Sequence, residues 1–119
     1  MPALILCIDT QSTALLARQR VLATGKHEVV SAENPIVAME LFLSLPVDMV
    51  VVDDYLGDTT GVALAREMKR HKPHVPILLI SGAIDYPEDC DVCDQFLSKL
   101  AGPQELLLRV QALLERKIA

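Results

Sequence analysis

Met49-Val-Val-Val52 is an uninterrupted apolar run, and the acidic residue Asp53 follows it directly. A strand with one face in solvent alternates apolar and polar residues, so an unbroken run predicts a strand that is buried on both faces. Residues 3–8 and 77–80 have the same pattern and are also followed by a polar side chain. Three such runs predict a parallel sheet that is covered by helices on both faces.

Amphipathic segments lie between these runs and predict helices. The clearest one begins with Asn34, a favourable N-cap, continues with Pro35 at the first helical position and ends before Pro46. With weaker strands at residues 28–32 and 95–97, the order of elements predicts a doubly wound parallel α/β domain. The apolar stripes of the four predicted helices are Ala14, Ala17, Val21 and Leu22; Ala38, Leu41, Phe42 and Leu45; Leu64, Ala65 and Met68; and Leu106, Leu107, Val110, Leu113 and Leu114.

Length and composition exclude several classes of protein. The chain has 119 residues, 51% of them apolar and 23% charged, which predicts one globular domain over residues 1–119. A net charge of -5 and 3% aromatic residues give no basic, base-stacking surface, so we expect no direct nucleic-acid binding. No apolar run approaches the roughly 18 residues that span a bilayer, so we expect no membrane partner. The odd count of three cysteines favours a reducing, cytoplasmic compartment.

Oxygen-bearing side chains follow the three buried runs: Asp9, Asp53 with Asp54, and Ser81. The carboxyl ends of parallel strands meet at one edge of the sheet, where open α/β folds place their ligand sites. Clustered carboxylates repel each other unless a cation lies between them, and their hard oxygens favour Mg²⁺. Lys99 follows a further apolar segment and reaches the same edge. A carboxylate, a divalent cation, a hydroxyl and a lysine are the groups that phosphoryl transfer to a carboxylate requires.

In their order and spacing, these segments resemble the receiver domain of two-component response regulators, of the chemotaxis-receiver type. The resemblance covers nearly the whole chain, and it implies a single receiver domain with a flavodoxin-like, five-stranded parallel sheet in the order 2-1-3-4-5. The segments that carry it are Leu4-Ile-Leu-Cys-Ile-Asp9, Asp48-Met-Val-Val-Val-Asp53, Gly61, Val75-Pro-Ile-Leu-Leu-Ile-Ser81, Phe96-Leu-Ser-Lys99 and Glu105-Leu-Leu-Leu-Arg-Val110.

The resemblance implies that Asp53 accepts a phosphoryl group from a sensor histidine kinase or a phosphotransfer protein. Asp9, Asp53 and the backbone carbonyl of Tyr55 would then hold Mg²⁺. The family usually has a second acidic residue beside the first, and here that position is Thr10. Because metal affinity follows the charge of the ligands, this replacement predicts weaker Mg²⁺ binding.

The same resemblance implies a switch. Ser81 and Lys99 would bind the phosphoryl oxygens, and Phe96 would follow Ser81 as it moves. The altered surface would then bind a downstream protein or a second copy of the chain. The resemblance also implies that the chain is not an enzyme beyond its own phosphorylation and dephosphorylation. Leu100 replaces the proline that usually follows the lysine. The segment after Ser81 is also short, which predicts a short or irregular fourth helix.

Two alternatives stay open from the sequence. Thr10, Leu100 and the short fourth segment favour a pseudo-receiver, an interaction or dimerisation module that keeps the fold without taking a phosphoryl group. The spacing Cys90-Asp-Val-Cys93 would suit a redox pair, but it has neither a second pair of ligands nor a thioredoxin-like context.

Overall fold

A computed structural model of the chain describes residues 2–82 and 90–118, with the backbone only for Cys90, Lys117 and Ile118. It contains a five-stranded, all-parallel sheet in the order β2-β1-β3-β4-β5. The elements in chain order are β1 (Leu4–Ile8), α1 (Ser12–Thr24), β2 (Glu28–Ala32), α2 (Pro35–Ser44), β3 (Met49–Asp53), α3 (Gly61–His71), β4 (Ile77–Ser81), a single 3-10 turn (Cys90–Val92), β5 (Gln95–Ser98) and α4 (Pro103–Ile118). The predicted flavodoxin-like fold is thereby confirmed.

Strand burial follows the sequence pattern. All five residues of β3 and all five of β4 are buried, as their unbroken apolar runs predict. The outer strands β2 and β5 are only partly buried, because each pairs with a neighbour on one side. After β1, the chain adds β2 on one side of the sheet and then adds β3, β4 and β5 on the other side. The switch in strand order therefore lies between β1 and β3.

The sheet buries one hydrophobic cluster on each face. Since side chains alternate along a strand, Leu6 and Ile8 of β1 pack with α2 and α3, while Ile5 and Cys7 pack with α1 and α4. The predicted stripes of α2 and α4 contain the described residues that these helices bury, whereas α3 buries Gly61 and Val62 in addition to its predicted stripe. None of the helices within residues 2–82 and 90–118 combines the length and the apolarity that crossing a membrane requires.

The predicted stripe of α1 is wrong in part. The helix buries Leu15 and Leu22, whereas Ala14 is only half-buried and Ala17 is exposed. Two leucines seven residues apart lie on one helix face and remove more apolar area from water than two alanines do. Ala14 and Ala17 therefore turn away from the sheet and line a cleft on the α1 side of the molecule.

Capping interactions fix α2 at both ends. The Asn34 side-chain oxygen accepts the Val37 N–H at 2.9 Å, as the sequence predicts for an N-cap. At the other end, Lys72 Nζ donates to the carbonyls of Phe42 (2.6 Å) and Leu45 (3.1 Å) and lies 5.0 Å from the centre of the Phe42 ring. An ammonium at the carbonyl end of a helix is favourable, so Lys72 ties α3 to α2.

The prediction of a short or irregular fourth helix falls largely on residues 83–89, which lie outside the described part of the chain. The next three residues, Cys90–Val92, form one 3-10 turn. Asp94 then fixes the start of β5, because its Oδ2 accepts both the Ile77 N–H and Lys69 Nζ at 2.8 Å. The Asp94 side chain thus ties the start of β5 to both β4 and α3.

His27 is expected to make stability depend on pH. Burial lowers its pKa from the usual 6.5, and its Nδ1 accepts the Ala3 N–H at 3.3 Å, which only the neutral ring can do. A histidine whose pKa is depressed by folding stabilises the protein above pH 6.5, and that contribution is lost as the pH falls through the folded-state pKa. The free energy of unfolding, measured in urea between about pH 7.5 and 5, should therefore fall less in His27→Asn than in the wild type. Identical pH slopes for the two proteins would contradict this assignment.

Candidate functional site

Two carboxylates lie side by side at the switch in strand order. Asp53 is the last residue of β3, and Asp9 directly follows β1. The register pairs Ile8 with Val52, so the next residue on each strand is one of these aspartates. Among the described residues, the buried polar or charged ones are Asp9, Asp53 and Ser81, with exposed fractions of 3%, 1% and 2%. All three are residues that the sequence places in the site.

The two oxygens of the Asp53 carboxylate have different surroundings. Its Oδ2 accepts the Tyr55 N–H at 3.2 Å. Its Oδ1 lies 3.0 Å from Lys99 Nζ, but this ion pair is out of line for a hydrogen bond. Among the described residues, Oδ1 thus has no hydrogen-bond partner although it is buried. A buried carboxylate oxygen without a hydrogen bond is costly, which makes this atom the natural point of attachment for a cation or a phosphoryl group.

Lys99 and Ser81 reach the same edge through the sheet. Ser81 ends β4 and pairs with Ser98 of β5, and the Lys99 N–H donates to the Ser81 carbonyl at 2.9 Å. This pairing directs the Lys99 side chain back towards Asp53, where 45% of it remains exposed. The structure therefore brings Asp9, Asp53, Ser81 and Lys99 to one edge of the sheet, as predicted from the ends of the apolar runs.

Gly61 allows β3 and α3 to meet. A Cβ atom at this position would overlap the carbonyl oxygen of Asp53, so only glycine fits. The Gly61 N–H donates to the Asp54 carbonyl at 2.8 Å, and Thr60 caps the helix by accepting the Ala63 N–H at 3.0 Å. The helix start is thereby locked against the end of β3.

The remaining predicted site residues surround this centre. Tyr55 is exposed, although its backbone N–H contacts Asp53. Thr10, which stands in place of a second acidic residue, is also exposed. Phe96 is half-buried and packs against the cluster that α2 and α3 cover. The switch role of Phe96 and the metal role of the Tyr55 carbonyl stay predictions.

Sequence reasoning missed Arg18. Its Nη1 lies 2.8 Å from Asp9 Oδ2, while Asp9 Oδ1 accepts the Gln11 N–H at 2.9 Å. Both oxygens of Asp9 are therefore engaged. One signal could have found the contact: Arg18 follows Ala14 by four residues, so it lies on the helix face that the sequence had assigned to apolar packing.

The donor set fits Mg²⁺ only in part. Hard oxygen ligands are available from Asp53, whose Oδ1 has no hydrogen bond, and from the neighbouring Asp9. At Asp9 a cation would compete with Arg18, whose guanidinium already neutralises this carboxylate at 2.8 Å. No cluster of three or more acidic, histidine or cysteine side chains suited to a metal occurs within the described residues. Asp53 would therefore be the main residue that holds a cation, and Asp9 would be a second ligand that Arg18 has to share or release.

Cys7 contributes no chemistry to this edge. It lies in the middle of β1, fully buried, and burial raises the pKa of its thiol to about 12. Cys93 is half-buried and packs against the other core cluster, and the side chain of Cys90 lies outside the described part of the chain. The redox alternative therefore gains no support from the thiols that the structure describes.

Comparisons with known proteins point to one family. The sequence model of the response regulator receiver domain matches residues 5–111. The phosphate regulon transcriptional regulatory protein PhoB of Pseudomonas aeruginosa is 28% identical over 118 residues, which cover 94% of this chain and 52% of that protein. The response regulator MprA of Mycobacterium sp. is 28% identical over 120 residues, covering 98% of this chain and 52% of that protein. The chain thus spans about half the length of the curated relatives it matches.

Solved structures show the same fold. A CheY-like response regulator receiver domain protein of Methanospirillum hungatei superposes with a TM-score of 0.90 at 18% identity, covering 98% of this chain and 97% of that one. The signal receiver domain of an HD domain-containing protein of Pseudomonas fluorescens gives 0.89 at 25% identity, with 98% of each chain covered. The response regulator TrrA of Thermotoga maritima, solved in complex with Mg²⁺ and BeF, gives 0.88 at 24% identity, covering 95% of this chain and 99% of that one. With the family model matching most of its length, the chain belongs to the response regulator receiver domain family.

Proposed function

We propose that this chain accepts a phosphoryl group on Asp53 from a histidine kinase or a phosphotransfer protein. The observation that carries the proposal is the state of Asp53 Oδ1, which is buried, lies 3.0 Å from Lys99 Nζ and has no hydrogen bond within the described residues. Such an oxygen retains its lone pairs for attack on phosphorus. Membership of the receiver family supports the same role.

The transfer follows from the positions of the side chains. An oxygen of Asp53 attacks the phosphorus of a phosphohistidine, the P–N bond breaks, and the imidazole leaves with the electron pair and takes up a proton. Mg²⁺, when bound by Asp53, Asp9 and the Tyr55 carbonyl, would neutralise charge on the transferring oxygens. Lys99 would hold one phosphoryl oxygen through its ammonium. Ser81 would donate its hydroxyl to another.

Signalling would follow from the same contacts. Ser81 would move towards the phosphoryl group, and Phe96 is the neighbouring aromatic side chain that would follow it. The support is that Phe96 is half-buried at the rim of a core cluster, where a ring has both apolar contacts and access to the surface. A shift between two positions of this ring would alter the surface of β5 and α4 for a protein partner or a second copy of the chain.

Incubation with acetyl phosphate and Mg²⁺ tests the proposal, with intact mass as the readout. We expect one phosphoryl adduct on the wild type and none on Asp53→Asn, because the amide is a poor nucleophile. Asp54→Asn is the matched control, since it removes a carboxylate one residue away and should keep the adduct. An adduct that persists in Asp53→Asn, or its failure to form on the wild type, would show that the proposal is wrong.

A second candidate function is a pseudo-receiver that binds a partner without phosphorylation. The observation that favours it is the Arg18–Asp9 ion pair, which neutralises the remaining acidic metal ligand where the family usually has two acids. This alternative predicts no adduct with acetyl phosphate, and no change in thermal stability when beryllofluoride and Mg²⁺ are added together. A stabilising shift with both present would exclude it.

A further inference from the structure

We infer that Arg18 is a built-in competitor of Mg²⁺ for Asp9, so that metal binding at this site requires the Arg18–Asp9 ion pair to open. The inference rests on the proposed metal site at Asp53 and Asp9. It adds to that site a residue from α1 that lowers its affinity for a divalent cation.

The first support is the geometry of the pair. Arg18 Nη1 lies 2.8 Å from Asp9 Oδ2, and only 13% of the arginine side chain and 4% of the aspartate side chain are exposed. Salt screens such a pair much less than it screens a pair on the surface. Separating one partner from a buried pair is costly, because a charge is left without compensation. Arg18 therefore holds Asp9 far more firmly than a solvated arginine would.

The second support is that both oxygens of Asp9 already accept a hydrogen bond, one of them from a charged group. The Gln11 N–H occupies Oδ1 at 2.9 Å, and Arg18 occupies Oδ2. A cation that enters between Asp9 and Asp53 would share an oxygen with one of these donors, and it would find the charge of Asp9 already neutralised by Arg18. It would also meet the positive charge of the guanidinium at close range. Since the Gln11 donor belongs to the backbone at the start of α1, the side chain of Arg18 is the group that can leave.

The third support is space for the displaced side chain. Arg18 borders a cleft of about 530 Å³ between α1 and the β5–α4 connection. Ala14 and Ala17, on the same helix as the arginine, are among the residues that line it, and Asp9 lines it as well. Open space beside Asp9 is therefore available for a guanidinium that leaves the ion pair. The guanidinium of Arg18 is thus the positive group beside Asp9 in the absence of metal, and a bound metal ion would take its place.

The test measures Mn²⁺ binding, with this ion as the probe because it shares the oxygen preference of Mg²⁺ and its free form is seen by electron paramagnetic resonance. Arg18→Met keeps most of the side-chain volume and removes the charge. We expect it to bind Mn²⁺ at least about tenfold more tightly than the wild type, and Mg²⁺ to compete at a correspondingly lower concentration. Equal affinities in the two proteins would overturn the inference.

Arg20→Met is the matched control. It makes the same change in net charge on the same helix, but at an exposed position. It should leave Mn²⁺ affinity within about twofold of the wild type, because exposed charges are screened by solvent and salt. If Arg20→Met tightened binding as much as Arg18→Met, the effect would come from net charge, and the inference would be wrong.

A measurement on the wild type covers the case in which Arg18→Met does not fold. The side-chain Nε resonance of Arg18 should shift as Mg²⁺ saturates the protein, because the guanidinium leaves Asp9. Saturation without that shift would overturn the inference. The acetyl phosphate experiment fails or succeeds separately: a phosphoryl adduct with no Arg18 effect refutes this inference alone. Tighter Mn²⁺ binding by Arg18→Met with no adduct refutes the proposed function alone.

Discussion

Gly61→Ala is expected to lower the free energy of unfolding by about 3 kcal/mol and to abolish phosphorylation of Asp53. The added Cβ would overlap the Asp53 carbonyl oxygen, a backbone atom that cannot turn aside as a flexible side chain would. Either α3 or the end of β3 must then shift, and the Asp53 carboxylate shifts with its own backbone. Urea denaturation gives the stability, and intact mass after acetyl phosphate treatment gives the phosphorylation.

Gly102→Ala is the matched control for this change. A Cβ at position 102 would meet no atom within 4 Å, so the same substitution should change stability by less than about 0.5 kcal/mol. Phosphorylation should proceed as in the wild type. Equal losses in the two variants would mean that the close approach of Gly61 to Asp53 is not what the fold depends on.

Asp94→Ala is expected to cost about 2–3 kcal/mol of stability. The substitution removes one acceptor that serves two donors, the Ile77 N–H and Lys69 Nζ, each at 2.8 Å. It leaves a strand N–H without its partner at the beginning of β4 and a half-buried ammonium without its counter-charge. The free energy of unfolding in urea measures the loss.

Asp91→Ala is the control for the loss of stability expected in Asp94→Ala. Asp91 pairs with Arg66 across the same sequence separation and from the same segment to the same helix, but 73% of its side chain is exposed, against 25% for Asp94. An exposed ion pair contributes little, so this variant should lose about 0.5 kcal/mol or less. If the two variants lost the same amount, the special role of Asp94 would be refuted.

The sequence predicts the sheet because local pattern and burial coincide there. The runs that became β1, β3 and β4 are apolar throughout, and strands at the centre of a parallel sheet are buried on both faces. The polar residue after each run marks the edge where the site forms. The positions of Asp9, Asp53 and Ser81 therefore followed from the strand ends alone.

The sequence did not predict the side-chain contacts that join different elements and follow no local pattern. Asp94 reads as one acid among several in a polar segment, and its two partners belong to β4 and α3. Arg18 reads as an ordinary charge on a helix whose weak apolar stripe was predicted correctly only in part. Only the packing angle of α1 decides that its side chain reaches Asp9, and no local propensity encodes that angle.

The burial of Cys7 has a practical consequence for following the motions of this molecule. A thiol reacts as its thiolate, so a group that is fully covered and has a pKa of about 12 is inert to alkylation in the intact sheet. Its strand lies between β2 and β3, and a reagent can reach it only when this central part of the fold comes apart. The rate of alkylation at Cys7 therefore measures how often the whole domain opens, and fraying at the surface does not affect it.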